Sequence, residues 1–197
     1  MSTAELLTRA FFARPPEAVA PELVGVIVRR GPVALRIVEV EAYAQHDTAC
    51  HAHKGLTPRT APLFGAPGHA YVYLCYGIHK MLNMTAADEG TAAGVLIRGA
   101  EVVDGVDVVV ARRGVVFGAA ICAGPGKIGT ALDLTTADTG RDLIDGQFLS
   151  LMRGPVGRLV TGPRVGIDYA DPVDRRRHWR FADGDSKAVT HRKLLRA

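Results

Sequence analysis

The chain has 197 residues, of which 48% are hydrophobic and 22% charged, a composition typical of a globular protein that buries a core. Its formal net charge of +4 favours a polyanionic partner without requiring one. Three cysteines without a CxxC spacing argue against a disulfide framework, and no apolar run reaches the roughly 18 residues of a membrane span. We therefore expect an intracellular protein without membrane contact, in the cytoplasm or nucleoid if the source is bacterial.

The first elements are predicted to be helices. Ser2 or Thr3 is suited to cap a short helix. The segment 15–17 (PPE) predicts the start of a second helix, because proline is favoured in the first turn, and this helix should end near Gly25.

The pattern then changes to that of a sheet. Residues 25–30 and 33–43 are rich in β-branched side chains around a Gly-Pro turn, which predicts a β-hairpin. Residues 44–70 contain several prolines and glycines and should form a loop, with at most a short helix after Asp47. A loop of that length in a compact domain is usually functional.

The remainder predicts more strands than helices. Residues 101–123 fit either a helix or a strand, whereas GPGKIGTALDL, from residue 124, predicts a helix with proline near its first position. Strands are predicted at 70–76, 80–86, 92–98, 147–153 and 162–167. The expected fold is mixed α+β: a single compact domain over residues 1–197, with a curved, mainly antiparallel sheet flanked by helices.

Two glutamates mark the end of the second hairpin strand. Side chains two residues apart share a face of a strand, so Glu39, Glu41 and Tyr43 should project together after Leu35 and Ile37. Burial and like-charge proximity both raise a carboxyl pKa, which is one way to make a general acid or base. The alternative is that Glu39 pairs with an arginine and Glu41 is a solvated strand end.

The loop contains a group of possible metal ligands, His46, Cys50, His51 and His53. Their spacing is not that of a structural or catalytic zinc site, and only a helix after Asp47 would bring ligands one turn apart. The pattern favours histidines that form hydrogen bonds or lie on the surface, so no metal and no cofactor are expected.

Tyrosines are concentrated in one predicted strand. Tyr71 and Tyr73 should share a face, with Tyr76 at the strand tip before a glycine. Core packing is one interpretation, but tyrosines at a strand tip also suit stacking on a base or wedging into a base step. Asn83 and Arg98, on neighbouring predicted strands, could contact bases or phosphates, or satisfy backbone groups.

Together these segments resemble the alkyladenine (methylpurine) DNA glycosylase family, the 3-methyladenine DNA glycosylases. The similarity lies in five blocks in the family's order and near its spacings, with weaker similarity from FFARP near the start to PRVGI at 163–167. The blocks are VEVEAY (38–43), ACHAHKGLTPRT (49–60), GHAYVYLCYGIHKMLN (68–83), GVLIRGAE (94–101) and AGPGKIGTALDL (123–134).

The resemblance implies roles for individual residues. Glu41 would be the general base that activates a water molecule, and Arg98 and the backbone carbonyl of Val165 would help to hold that water. Three side chains would enclose a flipped base: Tyr43 and Tyr73 by stacking, and His51 by a hydrogen bond. Asn83 would line the pocket and disfavour the exocyclic amino group of normal guanine, and Tyr76 would fill the gap left in the duplex.

The function implied is that of a monomeric, monofunctional DNA glycosylase of base excision repair. It would flip methyladenine, methylguanine, hypoxanthine or ethenoadenine out of double-stranded DNA, hydrolyse the N-glycosidic bond and leave an abasic site. Two alternatives remain open. One is a metal-dependent hydrolase or nuclease that uses Glu41 and the three loop histidines, and the other is a module that binds lesions without cutting the bond.

Overall fold

The computed structural model describes residues 6–197, and its centre is an open sheet of eight antiparallel strands. Six strands form a continuous path in the order β3-β4-β5-β2-β1-β6, and β8 pairs with both β2 and β7. The strands are β1 (Ile27–Arg30), β2 (Val33–Ala44), β3 (Ala70–Cys75), β4 (His79–Thr85), β5 (Ala93–Asp104), β6 (Ser150–Met152), β7 (Leu159–Gly162) and β8 (Arg180–Asp183).

The helices are short and lie beside the sheet. Proline begins three of them: Pro16 in α2 and Pro125 in α4, as the sequence predicts, and Pro172 in α5. The α-helices are α1 (Arg9–Phe12), α2 (Pro16–Leu23), α3 (Val106–Arg113), α4 (Pro125–Ala131) and α5 (Pro172–Arg175), and 3-10 helices span Ala61–Phe64, Thr136–Asp138 and Arg192–Leu194. Within residues 6–197, no helix is long and apolar enough to cross a membrane.

One face of the sheet forms the main hydrophobic core with α1, α2 and α4. Fully buried side chains from the helices, such as Phe12, Leu23 and Ile128, pack with alternate residues of β2 to β5. Each large aliphatic side chain buried in this way contributes roughly 1.5–3 kcal/mol. The alternate residues in the core are Val40, Ala42, Ala70, Val72, Leu82, Met84, Val95 and Ile97.

Strand alternation places the intervening residues on the opposite face. These are polar, aromatic or small, and they come from neighbouring strands, since Tyr71 pairs with Asn83, Asn83 with Leu96, and Glu41 with Leu96. The predicted site residues of four strands therefore share one side of the sheet, away from the core: Glu41, Tyr43, Tyr73, Asn83 and Arg98.

An irregularity between β2 and β5 changes which residues face the core. The register passes from Ile37 paired with Ala100 to Glu39 with Gly99 and Val40 with Ile97, so it skips Val38 on β2 and Arg98 on β5. Such bulges re-aim side chains. Glu39, Glu41 and Tyr43 do project together, but Leu35 and Ile37 pack in the core, so the face changes between Ile37 and Glu39.

The structure confirms the mixed α+β fold, the single compact domain and the antiparallel sheet. The predicted hairpin and the strands predicted at 70–76, 80–86 and 92–98 are also confirmed, although the last of these runs on to Asp104, after which the ambiguous segment becomes α3. The strand predicted at 147–153 is present as Ser150–Met152.

Some boundaries were wrong. The strand predicted at 162–167 lies at Leu159–Gly162, because Pro163 and the positive φ of Gly166 (77°) place the next residues in a turn. α5 and β8 have four residues each and gave no periodic signal. The residues directly after Asp47 form turns and not a helix, and the short helix of that loop lies further on, at Ala61–Phe64. Caps at Ser2 or Thr3 fall outside the described residues.

Candidate active site

A cleft of about 240 Å³ opens on the polar face of the sheet. The loop between β2 and β3 forms one wall, and the turn after β7 forms another. Seven of the eight predicted site residues line it: Tyr43, His51, Tyr73, Tyr76, Asn83, Arg98 and Val165. The lining combines aromatic and aliphatic side chains with a few polar groups, as is typical of small-molecule sites.

Tyr43 forms a fixed wall of this cleft. The Arg164 guanidinium lies 4.7 Å from the Tyr43 ring centroid, and the Tyr43 hydroxyl donates a hydrogen bond to Glu41 Oε2 at 2.8 Å. Arg164 is itself held by both carboxylate oxygens of Asp47 and by the carbonyl of Ala42. Burial, and then the Glu41 charge, raise the pKa of Tyr43, so the hydroxyl stays protonated at neutral pH.

His51 and two tyrosines form the opposite wall. The His51 and Tyr73 ring centroids are 4.5 Å apart, and Nδ1 of His51 lies 3.1 Å from the Tyr71 hydroxyl. His51 is at the exposed rim, but desolvation of the part of its ring that faces the tyrosines lowers its pKa. The positive charge of Arg59 lowers it further, so His51 is neutral near pH 7 and can accept or donate a hydrogen bond.

Asn83 is fixed at the floor of the cleft. Its Nδ2 donates to the backbone carbonyls of Tyr71 at 3.1 Å and Met81 at 3.3 Å. Both amide protons are thereby used, which leaves Oδ1 as the polar atom of Asn83 that a ligand can contact. The side chain cannot rotate away from a ligand without losing these bonds.

Glu41 lies directly behind the cleft wall and is fully buried. Its Oε1 accepts a hydrogen bond from the Val165 N–H at 2.7 Å, and Arg98 Nη1 lies 3.5 Å from its Oε2. Burial raises the pKa of Glu41, whereas the charge of Arg98 and the hydrogen bonds from Val165 and Tyr43 lower it. The charge of Glu39 raises the pKa again, and the net effect is a raised pKa. A buried carboxylate with a raised pKa beside a cleft has the properties of a general base.

Tyr76 lies at the tip of the hairpin formed by β3 and β4. It is 91% exposed and has a φ of 51°, which is unusual for a residue other than glycine. The neighbouring Ile78 is 67% exposed, so the tip presents two apolar side chains to solvent at the edge of the cleft.

The loop histidines have separate surroundings. His46 packs edge-on against Trp179 with ring centroids 5.9 Å apart, His51 contacts the tyrosines, and His53 is exposed. Among residues 6–197, no three His, Cys, Asp or Glu side chains are close enough to one another to hold a metal ion. The ligands required by the metal-dependent hydrolase are therefore not gathered around one point.

Sequence reasoning missed several residues that build the site. Arg164 and Asp47 support Tyr43, and the exposed Tyr169 donates a hydrogen bond from its hydroxyl to the Ala49 carbonyl across the cleft at 2.9 Å. Arg164 and Tyr169 flank Val165 in PRVGIDYA, so that motif was the available signal. Arg180, which contacts Glu39, had no such signal because β8 is short.

Comparison with known proteins shows which family the chain belongs to. Residues 10–187 match the model of the methylpurine-DNA glycosylase (MPG) family. The Arabidopsis thaliana protein named DNA-3-methyladenine glycosylase is 46% identical over 192 residues, which are 96% of this chain and 76% of that protein.

Two microbial relatives match this chain almost end to end. Each is named as a putative 3-methyladenine DNA glycosylase. The protein from Nitrosococcus oceani is 45% identical over 193 residues, 97% of this chain and 96% of its own length. The protein from Methanocella arvoryzae is 43% identical over 194 residues, with coverages of 95% and 96%.

The fold, the cleft and these matches define a DNA glycosylase, a hydrolase that acts on N-glycosyl bonds in the repair of alkylated bases. The chain belongs to the methylpurine-DNA glycosylase family. Its substrate is accordingly DNA that contains damaged bases.

Proposed function

We propose that this enzyme flips alkylated or deaminated purines, with 3-methyladenine the first candidate, out of double-stranded DNA into the cleft. The proposal extends to methylguanine, hypoxanthine and ethenoadenine, and to action as a monomer inside the cell, with residues 1–197 as one glycosylase domain. Extrusion costs a few kcal/mol and is easiest for a poorly paired base, so damage is selected before the chemical step.

The aromatic walls suit the flipped base. Tyr43 and Tyr73 would stack on it, and a purine alkylated at N3 or N7 carries a positive charge that is attracted to aromatic faces. His51, neutral and at the rim, would contribute one hydrogen bond. Asn83, which its two backbone contacts hold in place, would disfavour the exocyclic amino group of normal guanine.

Glu41 would act as general base on a water molecule held near Arg98 and the Val165 carbonyl. The observation that carries this proposal is that three cleft-lining residues, Tyr43, Arg98 and Val165, each contact the buried Glu41 carboxylate. Among residues 6–197, the cleft lining includes no lysine that could form a covalent intermediate with the sugar. An attacking water would release the free base and leave an abasic site.

Glu41→Gln provides the test. Base release from duplexes that carry 3-methyladenine or hypoxanthine, measured under single-turnover conditions in EDTA, should fall by about 10²–10⁴-fold, the usual contribution of a general base. Lesion binding should persist because the amide keeps the shape of the side chain.

Glu101→Gln is the matched control, since Glu101 pairs with Arg36 and Ser186 outside the cleft and should retain activity. Wild-type rates in the Glu41 variant would contradict the assignment. Saturating wild-type protein that binds lesions but releases no base would instead favour the module that only binds, and loss of wild-type release in EDTA would favour a metal-dependent enzyme.

A further inference from the structure

A second carboxylate, that of Glu39, lies behind Glu41 and has no contact with the cleft. Glu39 is fully buried, and both of its oxygens accept hydrogen bonds. The Thr190 N–H donates to Oε2 at 2.8 Å, and the Thr190 hydroxyl lies 2.9 Å from Oε1 and 3.0 Å from Oε2. Arg98 Nε and Arg180 Nη1 donate to Oε1 at 3.2 Å and 3.4 Å.

Arg98 is thereby held at two of its three nitrogens. Its Nε is shared between Glu39 at 3.2 Å and Glu41 at 3.4 Å, and its Nη2 donates to the Thr190 hydroxyl at 3.4 Å. Nη1 remains, directed at Glu41 Oε2. A planar guanidinium fixed by two groups on one side has one orientation, so Glu39 and Thr190 determine how Arg98 faces Glu41.

The fold is shaped locally around this contact. The register between β2 and β5 skips Val38 and Arg98, so the alternation of side chains shifts at this point and the core position after Ile97 is Ala100. Gly99 follows Arg98, and a Cβ there would lie 3.0 Å from the Cβ of Glu39 and 2.9 Å from the Ala188 carbonyl oxygen. The absence of a side chain at residue 99 allows Glu39 and the segment containing Thr190 to approach β5.

We propose that Glu39 is a positioning residue for the glycosylase reaction, which, with Thr190, orients Arg98 toward Glu41 and the attacking water. This inference rests on the proposed role of Glu41 as general base. Glu39 also balances charge, because Arg98 and Arg180 face two carboxylates in a region without solvent. Removal of Glu39 would leave two guanidinium groups beside one carboxylate.

The charge of Glu39 also acts on the ionisation of Glu41. Burial raises the pKa of Glu41, Arg98 lowers it, and Glu39 raises it again. The other groups around Glu41 are Tyr43 on its own strand, the Val165 N–H from the turn after β7, and the positive charges of Arg164 and Arg180. A neutral residue at 39 leaves these positive charges less opposed, so Glu41 should ionise at lower pH.

The test is Glu39→Gln, assayed on a duplex that carries 7-methylguanine. This base is already cationic, so its departure needs no protonation and the acid limb of the pH-rate profile reports Glu41. We expect the single-turnover rate at the pH plateau to fall on the order of ten- to a hundredfold, since small displacements of a catalytic group have effects of that size. Affinity for the lesion duplex should be unchanged, and the acid limb should move to lower pH.

Glu101→Gln is again the matched control, because it removes a carboxylate from the same sheet at a distance from Arg98. A role of Glu39 in folding alone would lower the melting temperature and would leave both the plateau rate and the acid limb at their wild-type values, as expected for Glu101→Gln. That result would overturn the inference, and so would an acid limb displaced to higher pH.

Thr190→Val is a second, milder variant that keeps the charge of Glu39 and tests the case in which Glu39→Gln does not fold. It removes one donor to Glu39 and one acceptor for Arg98, so the rate should fall several-fold while the acid limb stays in place. An unchanged rate would contradict the inference.

The same variants separate this inference from the proposed function. If Glu41→Gln is inactive while Glu39→Gln and Thr190→Val behave as wild type, only the positioning role fails. If wild-type protein releases no base, the proposed function fails.

Discussion

Glu41 illustrates how single residues set the properties of this site. Placing a carboxylate in the interior costs several kcal/mol unless hydrogen bonds and an opposite charge compensate. The Val165 N–H, the Tyr43 hydroxyl and Arg98 provide that compensation. Because burial still raises the pKa of Glu41, its carboxylate is a stronger base than one in water.

Asp174 is the residue whose ionisation should govern stability in acid. Burial raises the pKa of Asp174, but hydrogen bonds from the Thr48 hydroxyl and N–H and from Arg177 outweigh this and bring the pKa from 3.8 to about 2. A carboxyl with a depressed pKa stabilises the fold above its unfolded pKa and loses that contribution as the pH falls through the folded value. Asp174→Asn should therefore lower the free energy of unfolding at pH 7 by about 2 kcal/mol.

The destabilisation by Asp174→Asn should shrink between about pH 4 and pH 2, where the wild-type carboxyl itself becomes protonated. Urea unfolding at a series of pH values measures it. The exposed Asp168, on the same segment, provides the control as Asp168→Asn, which should behave as wild type throughout. A difference at Asp174 that stayed constant from pH 7 to pH 2 would show that packing, and not charge, is responsible.

At the scale of elements, the hairpin of β3 and β4 connects the aromatic wall with the exposed tip. Tyr71 and Tyr73 have ring centroids 5.6 Å apart and pair with Asn83 and Met81 across the hairpin. The strand that holds one wall of the cleft ends at Cys75, directly before Tyr76. A Tyr76 side chain inserted into the duplex would therefore be rigidly connected to the proposed base slot.

Tyr76→Ser should weaken base flipping and leave the fold intact. A serine is too small to fill the gap that an extruded base leaves in the stack, and a side chain that is 91% exposed contributes little to the core. Stopped-flow fluorescence of a base analogue next to the lesion measures flipping. Val116→Ser, at an equally exposed residue of another loop, is the control. Flipping at the wild-type rate and extent in the Tyr76 variant would argue against a wedge.

The elements also show what a sequence can predict. Alternation in β2 correctly placed Glu39, Glu41 and Tyr43 on one face, because that rule is local. The skipped register at Arg98 arises from pairing between strands about 60 residues apart and leaves no trace in either segment alone. The partners of Glu39 were equally hidden, since Arg180 lies in a four-residue strand and Thr190 in an irregular segment.

At the scale of the whole molecule, the net charge of +4 is modest, but the arginines differ in what they contact. Several arginines donate to backbone carbonyls, as Arg112 does to Ala131 and Arg113 to Ile121. Arg175, the last residue of α5, and Arg176, the residue after it, are both exposed. Arginines that fix backbone segments still contribute positive potential to the surface.

Affinity for DNA should therefore fall as salt rises. Contacts with phosphates release bound counterions, so the logarithm of the association constant should decrease linearly with the logarithm of the salt concentration. Fluorescence anisotropy with damaged and undamaged duplexes between about 50 and 200 mM salt tests this. Similar slopes for both duplexes are expected, because phosphate contacts do not depend on the lesion. An affinity independent of salt would contradict phosphate-dominated binding.

Bridges across the cleft join parts of the chain that are far apart in sequence. Arg164 holds Asp47, Asp174 holds Thr48, and Tyr169 reaches Ala49, each across more than a hundred residues. No short contiguous peptide contains both walls, so the site cannot be transplanted as a module into another scaffold. A protein engineer who wished to move this pocket would have to move nearly the whole chain with it.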